Sequence, residues 1–196
     1  MSRTSAEAAA SAALGMMFPR VQERLLESRI LLLAGEIDSK VAENVMARLL
    51  ALSADSDDDI TLYLHSPGGH VESGDTLHDM VRFVGPRVRI IGTGWVASAG
   101  THVYLAAEKE DRLCLPNTRF MIHQPLGGIG GQATDIEIEA DEMLKARDRL
   151  NQTIADRTGQ TVERVEKDTD RNFWMSPEEA LEYGIVGRIV KSISDV

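Results

Sequence analysis

Apolar positions along this chain alternate between a helical spacing and short continuous or two-residue runs. Val21, Leu25 and Leu26 share a helical face, and Ile30-Leu-Leu-Leu-Ala34, closed by Gly35, is predicted to be a buried strand. Asp38 or Ser39 then caps a helix whose apolar positions, Val41, Val45, Leu49 and Leu52, recur until the acidic run Asp55-Ser-Asp-Asp-Asp59 breaks it. Ile60-Thr-Leu-Tyr-Leu64 follows as a strand and ends in Ser66-Pro-Gly-Gly69. Val71 to Val84 is a further predicted helix, with Leu77, Met80, Val81 and Val84 on one side, and Val88-Arg-Ile-Ile91 a further strand. After it, Gly92-Thr-Gly-Trp-Val-Ala-Ser98-Ala-Gly100 turns into an apolar helical run that ends near Ala107.

Two short strands come next, Arg112 to Leu115 and Arg119 to Ile122, separated by the turn signal Pro116-Asn117; the second runs directly into His123-Gln-Pro-Leu-Gly-Gly128. Gln132 to Arg157 is predicted to be one helix of about 26 residues, roughly 39 Å long. That exceeds what a globule of this size needs to cover its sheet, so the helix is expected to protrude toward a partner subunit. Gly159 ends it, Thr161 to Asp168 forms a short helix, and Ser176-Pro-Glu-Glu179 is a capping-box helix start. Ile185 to Val190 is the last predicted strand. Strand and helix in alternation imply an α/β fold with a mainly parallel sheet. Ligand sites in such sheets lie beyond the carboxyl ends of the strands, which is where Gly68-Gly69, Ser98 and His123 fall.

Composition narrows the functions open to this fold. The 196 residues fit one domain, taken as residues 21–196, preceded by an alanine-rich flexible tail or leader over residues 1–20. With 31 acidic against 21 basic residues, a net charge of −10 argues against nucleic-acid binding, which needs a basic face. The lone cysteine, Cys114, permits no internal disulfide and fits the cytoplasm. No apolar run reaches the roughly 18 to 20 residues of a membrane span.

Ser98 carries two readings: a cap for the helix that follows, or a nucleophile whose oxyanion is met by the unpaired N–H groups and the positive end of that helix. A nucleophilic serine needs a base, and the candidates are His65, His70, His78, His102 and His123. His123 stands at a strand end. His102 lies four residues after Ser98 on the same helix, where its side chain is expected to pack along the helix rather than face a pocket. No zinc-type His or Cys spacing is present, and the glycine turns lack a P-loop lysine or a full dinucleotide fingerprint. Acyl transfer is the chemistry left, with no metal.

Ser66-Pro-Gly-Gly69, Ala97-Ser98 before Gly100, Leu115-Pro-Asn117, Met121-Ile-His-Gln-Pro-Leu-Gly-Gly128, Gly131-Gln-Ala-Thr-Asp-Ile-Glu-Ile138 and Glu179-Ala-Leu-Glu-Tyr-Gly184 together resemble the proteolytic subunit of the Clp protease, ClpP, over residues 21–191. The resemblance implies a ClpP/crotonase-like fold of repeated β-β-α units with a protruding handle helix. It implies a serine endopeptidase, with Ser98 as nucleophile, His123 as general base, the Gly69 and Ala99 amides as oxyanion hole, and substrate extended beside Gly127 and Gly128. It further implies two stacked heptameric rings, joined in part through Asp170 and Arg171, that degrade unfolded protein chains delivered by an AAA+ unfoldase of the Clp class. ATP would be used by that unfoldase, so no cofactor is expected in this chain.

Three positions depart from the family pattern. Asn172 stands where the family carries the aspartate of its triad, Ala99 replaces a common methionine, and Thr61 replaces an aromatic of the unfoldase-docking groove; the first twenty residues also lack the family's axial-loop sequence. An asparagine oxygen facing the imidazole still accepts a hydrogen bond from its N–H and holds the useful tautomer, yet supplies no charge to stabilise an imidazolium. A slow but assembled peptidase is therefore expected, with Asp168 and Asp170 as other third members. The alternative is a weakly active or inactive ring subunit that partners a second ClpP paralogue; a crotonase-like acyl-CoA enzyme is the remaining reading.

Overall fold

The computed structural model of the chain describes residues 20–128 and 130–196, so the expected N-terminal tail lies, apart from Arg20, outside the described residues. Residues 20–27 form helix α1. Then come β1 (Ile30–Ala34), α2 (Ser39–Asp55), β2 (Ile60–Ser66), α3 (Val71–Phe83), β3 (Val88–Ala97), α4 (Ala99–Tyr104), β4 (Arg112–Cys114) and β5 (Arg119–Ile122). The rest is α5 (Ala133–Thr158), α6 (Val162–Thr169), β6 (Phe173–Met175), α7 (Pro177–Tyr183) and β7 (Arg188–Ile189). This is the α/β architecture that the alternating pattern implies.

The strands form one sheet in the order β1-β2-β3-β4-β7, with β5 paired to β3 and β6 paired to β5. Pairings are parallel except β5 with β6. Leu31 and Leu33 of β1 are 1 % exposed, whereas Leu32 between them is 50 % exposed. The continuous apolar run is thus buried on one face only, the face that packs into the main core. Ile60, Leu62 and Leu64 of β2 point the same way into the main core, with Val45 and Leu49 of α2 and Leu77 of α3. Each such side chain contributes about 1.5–3 kcal/mol by leaving water. A smaller cluster, Ile91, Leu113 and Val190 against Tyr63 and Leu115, lies apart from it.

Local signals place the helix starts. Asp38, not Ser39, caps α2, its Oδ1 accepting from the Val41 amide at 2.7 Å. Ser176 and Glu179 close the expected capping box on α7, with Pro177 at the first helical position; such caps contribute about 1 kcal/mol each.

Two elements differ from the expectation, and both matter for the site. β3 does not stop at Ile91 but runs to Ala97, pairing first with β4 and then with β5. The glycines predicted to form a turn sit where the strand changes neighbours, beside a register shift in β2 between Leu64 and Ser66. The three-residue strand β6, too short to carry a periodicity, pairs antiparallel with β5 so that Ile122 faces Phe173. One step further along that register, His123 faces Asn172.

Helix α5 has the expected length of 26 residues, shifted by one position, but its buried residues, Asn151, Ile154 and Ala155, all lie in its last third. Ile136, Ile138 and Leu144 in the earlier part are 40 to 55 % exposed. No helix of the described residues is long and apolar enough to cross a membrane.

Candidate active site

Ser98 joins the end of β3 to the start of α4 with φ 55° and ψ −124°, a backbone conformation that costs a non-glycine residue about 1–3 kcal/mol. The turn is held on both sides, by the Ser98 amide donating to the Met121 carbonyl (2.9 Å) and the His102 amide donating to the Ser98 carbonyl (3.1 Å). Of the two readings of Ser98, the cap is not realised, since its side chain accepts no backbone bond in α4. Its hydroxyl instead donates to His123 Nε2 at 2.7 Å.

His123 leaves the end of β5 next to the end of β3, which explains why residues 25 apart in sequence meet. Its Nδ1–H donates to Asn172 Oδ1 at 2.9 Å, the pairing that the β5–β6 register dictates. Because the asparagine oxygen is an acceptor, Nδ1 carries the proton and Nε2 keeps the lone pair that faces Ser98. The other two candidate third members are engaged elsewhere. Asp168 Oδ2 accepts from Arg164 Nε (2.6 Å) and the Tyr183 hydroxyl (3.1 Å). Asp170 Oδ1 accepts from Gln124 Nε2 (3.3 Å) and lies 3.6 Å from Arg171 Nη1.

The loop Ser66–Gly69 runs alongside Ser98. A Cβ on Gly68 would sit 2.6 Å from Ser98 Cβ, and its φ of +103° also demands glycine. A Cβ on Gly69, at φ +150°, would overlap the Ile37 carbonyl. Among the described residues, the Gly69 and Ala99 amides meet no backbone acceptor outside the helices and strands, and Ala99, as the first residue of α4, has no intrahelical one. Both residues line a cavity of about 260 Å³ together with Ser98, His123, Val71, Ile122, Leu150 and Ile154. A hydroxyl bonded to an imidazole, beside two backbone N–H groups on one cavity, is an arrangement able to attack a carbonyl.

Gly128 lines an adjoining groove that continues from Gly69, Pro125 and Leu126, and Gly127 lies against Met143 of α5. His102 corrects an expectation: it lines the cavity rather than only packing along α4. Its Nε2, however, is 2.9 Å from Asp75 Oδ1, and it makes no bond to Ser98 Oγ. Asp75 Oδ2 accepts in turn from Arg149 Nη2 at 2.6 Å. Burial raises the Asp75 pKa, but the hydrogen bonds and charges of His102 and Arg149 outweigh it and leave the carboxyl below its usual range. Nothing in the sequence spacing pointed to Asp75, since the pairing depends on how α3 packs on α4. Among the described residues, no group of three or more His, Cys, Asp or Glu side chains is gathered as a metal site.

Comparison with known proteins adds an independent line. A family model described as Clp protease matches residues 15–193. An ATP-dependent Clp protease proteolytic subunit 3 from Rhizobium etli is 55 % identical over 175 residues, 89 % of this chain and 90 % of the relative. An ATP-dependent Clp protease proteolytic subunit 2 from Gluconobacter oxydans is 56 % identical over 178 residues, covering 90 % of this chain and 80 % of the relative. Among solved structures, an asparagine-to-aspartate mutant of ClpP1 from Listeria monocytogenes superimposes with a TM-score of 0.83 at 51 % identity, covering 89 % of this chain and 98 % of the other.

Proposed function

The chain belongs to the Clp protease family as a proteolytic subunit, a serine endopeptidase, and on that premise we propose that Ser98 is its nucleophile, His123 its general base and Asn172 the residue that orients the base. The observation that carries the assignment is the continuous hydrogen-bond chain from Ser98 Oγ through both nitrogens of His123 to Asn172 Oδ1, at 2.7 and 2.9 Å.

In this mechanism the substrate carbonyl sits above Ser98 with its oxygen toward the Gly69 and Ala99 amides. Ser98 Oγ attacks the carbonyl carbon while His123 Nε2 takes the hydroxyl proton, and the oxyanion that forms is stabilised by those two N–H groups. His123 then passes its proton to the leaving amine, giving an acyl-Ser98 intermediate and a new amino terminus. Water, deprotonated by the same Nε2, completes the cycle. Asn172 holds the productive tautomer throughout but adds no charge to steady the imidazolium. The apolar wall of Val71, Ile122, Leu150 and Ile154 suits an apolar side chain next to the scissile bond, and an extended polypeptide would continue past Gly127 and Gly128. Every step draws on side chains and backbone of this chain, without a cofactor.

Family membership implies a ring oligomer that works with a Clp unfoldase. We assign the finer arrangement as two stacked heptameric rings in the cytoplasm, with Asp170 and Arg171 at the ring-to-ring contact and with the exposed apolar residues of α5, Ile136, Ile138 and Leu144, covered by a neighbouring subunit. An unfoldase would consume the ATP and deliver unfolded chains; a second ClpP paralogue in the ring remains part of this proposal, supported by the Asn172 and Thr61 departures. The inactive-subunit alternative is weakened by the intact hydrogen-bond chain at Ser98.

Hydrolysis of short fluorogenic peptides, which need no unfoldase, tests the assignment. Turnover by the purified protein that disappears in Ser98→Ala is expected; turnover that persists in Ser98→Ala, or its absence with and without an added ClpP paralogue, overturns it.

A further inference from the structure

Behind the site lies a cluster of titratable side chains that the reaction above does not use: Asp75 and His78 on α3, His102 on α4 and Arg149 on α5. His102 Nε2 and Asp75 Oδ1 are 2.9 Å apart. Asp75 Oδ2 and Arg149 Nη2 are 2.6 Å apart. The His78 ring is stacked on His102 with centroids 4.4 Å apart and planes inclined by 14°. The imidazole of His102, 8 % exposed, is therefore held by its edge and by its face.

The elements joined by this cluster are the two that present the free amides. Gly69 is separated from α3 by the single residue His70, with Asp75 in the second turn of that helix; Ala99 begins α4, with His102 three residues on. Helix α4 has only 6 residues and starts from the strained Ser98 backbone. A helix so short has little stability of its own, so contacts with its neighbours determine where its first N–H points. A side chain in its second turn leans back toward that start.

Resting on the assignment of Gly69 and Ala99 as oxyanion donors, we propose that the Asp75–His102 hydrogen bond is a clamp between α3 and α4 that sets the spacing of those two donors, making Asp75 a positioning residue for the reaction. Arg149 holds the second Asp75 oxygen and so fixes the carboxylate plane. The clamp acts on the transition state, in which the oxyanion is shorter-bonded to its donors than the ground-state carbonyl, and not on the affinity for substrate.

The test compares Asp75→Ala, Asp75→Asn and His102→Phe in peptide hydrolysis, with hydrogen exchange of the α4 amides followed by mass spectrometry. Asp75→Ala is expected to lower kcat about tenfold or more with KM within about twofold, smaller than the 10²–10³ loss of a whole donor. Asparagine can still accept from Nε2–H but then turns its NH2 toward Arg149 and gives up that contact, so Asp75→Asn is expected to recover part of the loss. His102→Phe keeps the stack on His78 and removes the hydrogen bond; it is expected to behave as Asp75→Ala does and stands in for it if alanine prevents assembly. Exchange at the α4 amides is expected to rise in Asp75→Ala and His102→Phe and to rise less in Asp75→Asn, a readout that holds even if the parent protein shows no turnover and the assignment of Ser98 fails. Unchanged kcat with unchanged exchange in both Asp75→Ala and His102→Phe, a change confined to KM, or failure of Asp75→Asn to recover kcat or protection overturns the clamp.

Discussion

His123 Nδ1 and Asn172 Oδ1 stand 2.9 Å apart at the point where the β5–β6 register leaves the sheet. On the proposed assignment the asparagine supplies the orienting half of what an aspartate does at such a position, but not the electrostatic half.

Replacing Asn172 by aspartate restores the charge beside a forming imidazolium. Two unit charges 4 Å apart attract by about 1 kcal/mol in water and about 4 kcal/mol at an effective dielectric of 20. Asn172 is exposed, so the lower part of that range applies, and Asn172→Asp is expected to raise kcat about ten- to a hundredfold. Peptide turnover measured beside sedimentation velocity checks it. Equal or lower turnover in an intact assembly contradicts the orienting role of Asn172.

Gly68 leaves no room for a side chain against Ser98, since a Cβ there would lie 2.6 Å from Ser98 Cβ at φ +103°. Gly68→Ala is expected to cost about 1–3 kcal/mol through its backbone alone and to displace Ser98 from His123. A lower melting temperature together with loss of most peptide turnover is the expected result; full turnover at unchanged stability contradicts it.

Burial, aided by the charge of His102, pushes the His78 pKa from 6.5 down to about 4. Between those values the unfolded chain binds a proton that the folded protein refuses. Stability is thus full above about pH 6.5 and declines as the pH falls toward 4, by at most about 3 kcal/mol for this one group before screening by solvent. Denaturation midpoints at pH 5 and 7.5 are expected to differ less in His78→Phe, which keeps an aromatic ring against His102, than in the parent.

Burial likewise pushes the Cys114 thiol up to about 12, with the charge of Glu178 adding to it. The native protein is expected to resist iodoacetamide at pH 8 and to react once denatured, because the thiolate is the reactive form. Labelling followed by intact-mass measurement decides it, and rapid modification of the native protein would place Cys114 at an accessible surface.

Much of this was legible in the chain itself. Helical spacing located α2, α3 and α5 to within a residue or two, and strand ends located Ser98, Gly69 and His123, because apolar period and turn chemistry are local properties. Single-residue features at longer range were not. The end of β3 was hidden by glycines that serve a change of strand partner instead of a turn. Strand β6, with 3 residues, exists only by pairing with β5. Leu32 looks identical to its neighbours in sequence but points to the opposite face of β1, which is left uncovered. Asp75 becomes a partner of His102 only when α3 and α4 pack together. The role proposed for Asn172 came from family resemblance; the register of β5 with β6, which sets it beside His123, could not be read from the sequence.

The central claim is that Ser98 is activated by His123, and the rate at which a fluorophosphonate acylates Ser98 measures that activation without requiring an unfoldase or a cleavable peptide. Labelling in the parent that vanishes in Ser98→Ala and slows about a thousandfold or more in His123→Gln is the expected result. Labelling of Ser98 at the parent rate in His123→Gln would contradict it.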